Sequence, residues 1–136
     1  MLLQISLLII TMMSLGIDSG KFVSTTVVPT SISLASGGAR VLNVKFKTVD
    51  GVHVNLRPPL VVESLMKGVS FVVKSFGKSG NYLDTSKPVE IECRAKNISA
   101  GVHKVGLTFG YTYCSDKEEW CRMANDTLAV EINIKK

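Results

Sequence analysis

The sequence predicts an all-β domain, an antiparallel β-sandwich, and three observations carry that prediction. After Lys21 the apolar residues recur at every second position, not every third or fourth. Turn signals, among them Asp50-Gly51, Gly77-Lys78-Ser79-Gly80-Asn81 and Ser99-Ala100-Gly101, cut the alternation into short runs. The 136 residues, 46% hydrophobic and 20% charged, have the composition of a single globular domain. That arithmetic excludes multi-domain enzymes, collagen-like repeats, disordered tails and polytopic membrane proteins.

Residues 1–16 contain no charged side chain and are almost wholly Leu, Ile, Met, Ser and Thr. Such a stretch is too short to cross a ~30 Å hydrocarbon core comfortably as a helix. It reads as the apolar region of a signal peptide. Ser14-Leu15-Gly16 offers small residues where a signal peptidase cuts, so cleavage is expected after Gly16, with Gly20 as second choice. The segment lacks Lys and Arg ahead of its apolar run, so an uncleaved membrane anchor is the alternative, and the sole route by which a membrane is expected to be a partner. Either way the domain, residues 21–136, is expected to be periplasmic or otherwise extracytoplasmic (secreted), where disulfides persist. Its roughly 120 residues can bury about two thirds of the unfolded chain's surface, enough to fold without a staple.

The strands follow in order. Val27 to Leu34 forms the first. Leu42, Val44 and Phe46 alternate with Asn43, Lys45 and Lys47, giving one buried and one wet face. Asp50-Gly51 is a hairpin dipeptide. In the next strand Val52, Val54 and Leu56 point inward, His53, Asn55 and Arg57 outward, and Pro58-Pro59 ends the ladder because proline lacks an N–H. Val69, Phe71 and Val73 form another. Val89, Ile91, Cys93 and Ala95 alternate with Glu90, Glu92, Arg94 and Lys96, which places Cys93 inward as a buried, inert core thiol. His103, Val105, Leu107, Phe109, Tyr111 and Tyr113 share one phase of the longest strand, and Cys114 has the other. Leu128, Val130, Ile132 and Ile134 close the domain. About seven short strands separated by turns argue for an immunoglobulin-like sandwich, with a small β-barrel as the alternative.

Sixteen Lys and Arg against eleven Asp and Glu give a net charge of +5, but the basic residues are scattered, so nucleic acid is not expected as a partner. No Ser-His-Asp order, carboxylate pair or phosphate loop points to hydrolysis. His53 and His103 fall on opposite faces without metal-ligand spacing, and neither a metal nor a cofactor is expected. Asn97-Ile98-Ser99 and Asn125-Asp126-Thr127 match glycosylation sequons.

The chemistry concentrates between Tyr111 and Arg122. Cys114 and Cys121 stand at a strand end and in the following loop, placed to form a disulfide. A ring this small contributes only ~2.5 kcal/mol. The pair is local and at an edge, beside an exposed loop that a partner can approach. Asp116, Glu118 and Glu119 outnumber Lys117 and Arg122, which disfavours a thiolate and makes the pair reducing. The residues alone leave two readings open, a redox pair and a structural staple. Tyr111, Tyr113 and Trp120 flank the cysteines as packing residues or as a docking surface.

Gly101-Val102-His103 through Tyr111-Thr112-Tyr113-Cys114, the cysteine loop, the Leu128 to Ile134 strand, and Gly51-Val52-His53-Val54-Asn55 before Pro58-Pro59 resemble the N-terminal periplasmic domain of the thiol:disulfide interchange protein DsbD family. The resemblance implies an immunoglobulin-like sandwich whose two cysteines carry electrons from a membrane reductase to periplasmic disulfide proteins. Carried over, Cys114 and Cys121 are the catalytic redox pair, with Phe76 or Tyr82 as a cap. A thioredoxin-like protein or membrane thiol reductase, on a separate chain, is then the electron donor, and extracytoplasmic disulfide proteins are the acceptors. The alternative is a non-catalytic secreted β-sandwich binding module, using His53, Asn55 and Arg57, in which the disulfide is structural.

Overall fold

A computed structural model describes residues 22–136 of the chain, and the signal segment expected at residues 1–16, with its cleavage position, lies outside them. Eleven strands follow one another: β1 (Val23–Val28), β2 (Ser31–Ala35), β3 (Ala39–Thr48), β4 (Val52–Asn55), β5 (Val61–Ser64) and β6 (Val69–Ser75), then β7 (Lys78–Ser79), β8 (Tyr82–Leu83), β9 (Val89–Ala95), β10 (Gly101–Ser115) and β11 (Trp120–Lys135). They build two sheets. One has the order β1-β3-β9-β6, and the other runs β2-β11-β10-β4-β8-β7 with β5 also paired to β10. The result is the expected immunoglobulin-like sandwich, not a barrel. Among the described residues no helix is long and apolar enough to cross a membrane.

The inward phases of the two sheets meet in one core. Leu42, Val44, Val89 and Ile91 from the smaller sheet are wholly buried, as are Val54, Leu107, Phe109 and Ile132 from the larger. Phe46 sits edge-on to both Phe109 and Tyr111, each 5.3 Å away between ring centroids, a geometry that ring quadrupoles favour. A polar clasp adds to it across the layers. Asp126 Oδ2 accepts hydrogen bonds from Thr25 Oγ1 in β1 and Tyr111 Oη in β10, both 2.8 Å long. Cys93 is fully buried in β9, and desolvation pushes its thiol up to about 11.

Four local expectations are corrected. The single strand expected from Val27 to Leu34 is two strands in different sheets, because Pro29 has no N–H to extend the ladder. The buried set accordingly switches from Val23 and Val27 to Ile32 and Leu34, odd numbers to even. Asp50-Gly51 does not close a hairpin. Gly51, at φ 80°, turns the chain from β3 in one sheet to β4 in the other. The segments after Pro58-Pro59 and around Gly80 contain the short strands β5, β7 and β8. Finally, the last strand starts at Trp120, not Leu128, and pairs with β10 over its whole length from Gly101↔Ile134 to Ser115↔Trp120.

Candidate functional site

Register assembles the site. β10 is flanked along its full length by β11, while its other side is shared, by β5 opposite Leu107–Gly110 and by β4 opposite Thr112–Ser115. Side chains facing away from the core therefore line up across strands. One row reads Cys121, Cys114, His53, and the next reads Met123, Thr112, Asn55, Tyr82. Residues from four strands, distant in sequence, thus share a single outer patch.

Cys114 and Cys121 form the disulfide, joining directly opposed residues whose Cα atoms are 4.0 Å apart. The bridge lies at the closed end of the β10–β11 hairpin, where β11 is the outer strand because β2 reaches it only at Glu131–Lys135, so the pair stands at a local edge of the sheet as expected. Its two residues differ. Cys114 is only 7% exposed, whereas Cys121 is exposed. The sulfur of Cys114 also accepts a hydrogen bond from Asn55 Nδ2 at 3.0 Å. Asn55 Oδ1 and Thr112 Oγ1 beside it are buried and find no partner among the described residues.

A hollow of about 290 Å³ opens over the bridge, lined by Asn55, Tyr82, Cys114, Ser115, Asp116, Glu119, Trp120 and Cys121. His53 Nε2 is hydrogen-bonded to Asp116 Oδ2. Its ring stacks on Tyr82, with centroids 4.3 Å apart and planes 11° from parallel. The backbone N–H of Asp116 donates to Gly51 O at 3.0 Å, so the β3–β4 turn fixes the loop that carries this carboxylate. Trp120 Nε1 donates to Glu118 Oε2 at 3.1 Å, and the Arg122 guanidinium lies 4.4 Å from the Trp120 ring centroid.

The sequence-predicted residues separate accordingly. Tyr82 stands at the hollow and Trp120 on its wall, half-buried against Phe22 and Tyr113. Tyr111 and Tyr113, 4% and 1% exposed, are core residues and offer no docking surface. Phe76 lines a separate hollow with Ser75, Gly77, Lys87, Pro88 and Glu90 and does not touch the bridge. His103 gives its Nε2 to Ser99 O, 2.8 Å away at the far end of β10. Asn55 and His53 were legible as outward residues, but the Asn55 contact with the sulfur and the pairing of His53 with Cys114 were not. Asp116 counted only as loop charge.

Fold and site define an immunoglobulin-like β-sandwich domain with a cross-strand disulfide on the outer face of its larger sheet. No family model matches the chain, and no curated protein matches it. Among solved structures, murine CRIg is similar at 11% identity and TM-score 0.42, covering 84% of this chain and 98% of that one. The BIgI domain of beta protein from S. agalactiae, solved bound to CEACAM1, is similar at 16% identity and TM-score 0.34, covering 84% and 99%.

Proposed function

We propose that the domain is an extracytoplasmic thiol:disulfide exchange module that passes reducing equivalents to partner proteins through Cys114 and Cys121. The observation that carries this reading is the asymmetry of the bridge: Cys121 is an exposed residue, whereas Cys114 is a buried one whose sulfur already accepts the Asn55 amide. Exchange requires a thiolate to attack one sulfur while the other leaves with the electron pair, and leaving is faster from a sulfur stabilised as thiolate. Here a partner reaches Cys121, and Cys114 departs into a donor. The resemblance to the DsbD N-terminal domain points the same way, and so does the export signal expected at residues 1–16. Thioredoxin-like or membrane thiol reductases are the donors on this reading, and oxidised extracytoplasmic proteins the acceptors.

The staple reading has less support from the sheet. The bridge ties two strands that the ladder already holds together and links neither layer of the sandwich to the other. A binding module would use the same patch, where Met123 is 81% exposed beside the bridge, so a protein partner docks there in either case.

The test is equilibration of the native domain with glutathione or dithiothreitol, with alkylation trapping. A potential above about −300 mV, reached quickly without denaturant, supports exchange. A lower potential with sulfurs that react only after unfolding overturns it in favour of the staple.

A further inference from the structure

The geometry points to a further catalytic residue: His53, oriented by Asp116, exchanges a proton with the Cys114 sulfur as the bridge opens and closes. The inference rests on the exchange reading above and assigns the acid–base group of that site. His53 is the direct register partner of Cys114 on the outward face. Side chains so opposed in an antiparallel pair have Cβ atoms about 4.5–5.5 Å apart, which makes the imidazole and the Cys114 side chain neighbours on the same face.

The ring is held on two sides. Asp116 takes Nε2, and Tyr82 stacks flat against the imidazole. With Nε2 committed to a carboxylate, Nδ1 is the nitrogen left for the sulfur, the base-plus-orienter arrangement that activates nucleophiles in general. Besides Asp116, the ionisable side chains lining the neighbouring hollow are Glu119 and Tyr82, joined by Cys121 once the bridge is open. Imidazole is the side chain suited to giving and taking protons near neutrality.

The step balances as follows. A thiolate of a partner dithiol attacks Cys121 Sγ, the Cys114–Cys121 bond breaks, and Cys114 leaves with the electron pair and takes a proton from the His53 imidazolium. Neutral His53 then removes the proton from the partner's second thiol. That thiolate attacks the mixed disulfide, releasing oxidised partner and the Cys121 thiolate, which is protonated by solvent. Two electrons and two protons reach the domain, and delivery to an acceptor runs in reverse.

The test measures the rate of native-state reduction by dithiothreitol from about pH 5 to pH 8, corrected for reagent thiolate, in wild type, His53→Gln and Asp116→Asn. The expected result is a wild-type rate with a titration that His53→Gln abolishes, together with a fall of about 10²-fold near neutrality. Asp116→Asn should retain the titration but shift its midpoint, which loss of packing alone does not do. Urea midpoints confirm folding, and if His53→Gln fails to fold, Asp116→Asn, whose side chain is 61% exposed, carries the comparison. Fast reduction with an unchanged rate and profile in the variants overturns the role of His53 and leaves exchange standing. A wild-type bridge that resists reduction overturns both.

Discussion

Opening the bridge should leave the domain folded, and the cost can be worked from the structure. Cys114 and Cys121 are separated by seven positions, so by the loop-entropy relation their ring restrains the unfolded chain by only about 2.5 kcal/mol. The folded side loses little, because fifteen residue pairs from Gly101↔Ile134 to Ser115↔Trp120 hold β10 to β11 independently of the sulfurs. A domain of this size has about 5–15 kcal/mol to lose, so the reduced form remains native. The same quantity appears in the redox equilibrium. Stability lost on reduction must equal the difference in reduction free energy between folded and unfolded chains, and 2.5 kcal/mol corresponds to about 55 mV for a two-electron couple. Urea unfolding of oxidised and reduced protein, followed by the fluorescence of the single tryptophan, Trp120, gives the first number. Glutathione equilibration in buffer and in concentrated urea gives the second. A reduced domain unfolded in buffer, or a loss of about 5 kcal/mol or more, would show that the bridge holds the fold. Two numbers that disagree would show that reduction changes the native structure.

Three further outcomes are expected. Asn55→Ala removes the donor to Cys114 Sγ, so in a Cys121→Ser background the Cys114 thiol should titrate higher and alkylate about tenfold more slowly near neutrality; an unchanged pH profile of alkylation refutes the role of the amide. Phe46→Ala deletes the ring set edge-on against Phe109 and Tyr111 and should cost about 3–5 kcal/mol in urea unfolding, whereas a loss below about 1 kcal/mol would mean that the two sheets do not meet there. Burial holds the Cys93 thiol protonated up to about 11 while the unfolded chain releases its proton from about 9. The resulting stability is complete below about pH 9 and is lost as pH rises toward 11, by about 2 to 3 kcal/mol relative to Cys93→Ala; parallel stability curves for the two proteins sink this.

Alternation of side chains was enough to read β3, β9 and the body of β10, since each keeps one face in the core over several residues. It was not enough where the two faces carry different loads. The first half of β11 has an outer face that builds the site and an inner face that holds Asp126 for the Thr25 and Tyr111 clasp, so its apolar signal begins only at Leu128. The shift of phase between Val27 and Ile32 was present in the sequence and marks the change of sheet at Pro29. Pairing is the part that local pattern does not contain. Asp50-Gly51 suggests that β4 folds back on β3, yet β4 pairs with β10, some sixty residues on in the case of His53 and Cys114, and that pairing brings the Asn55 amide to the sulfur and sets His53 opposite Cys114.

The same difference between sequence and space decides the field at the bridge. Counting charges in the loop sets three carboxylates against two cations and predicts a sulfur that resists becoming a thiolate. In the folded domain Asp116 is turned to the His53 imidazole and Glu118 to the Trp120 indole N–H, while Cys114 Sγ meets the Asn55 amide. A departing thiolate is therefore received by a donor, with two of the three carboxylates engaged elsewhere. The isosteric Asn55→Asp separates these views, because it removes the donor and places a full negative charge against the sulfur without changing its volume. Native-state reduction should slow in the order wild type, Asn55→Ala, Asn55→Asp, with the last step about tenfold near neutral pH and smaller in high salt. Equal rates for the Ala and Asp variants, also in a His53→Gln background where no imidazolium neutralises the leaving sulfur, would mean that Cys114 is not the sulfur that leaves, and the exchange direction assigned to the two sulfurs would have to be reversed.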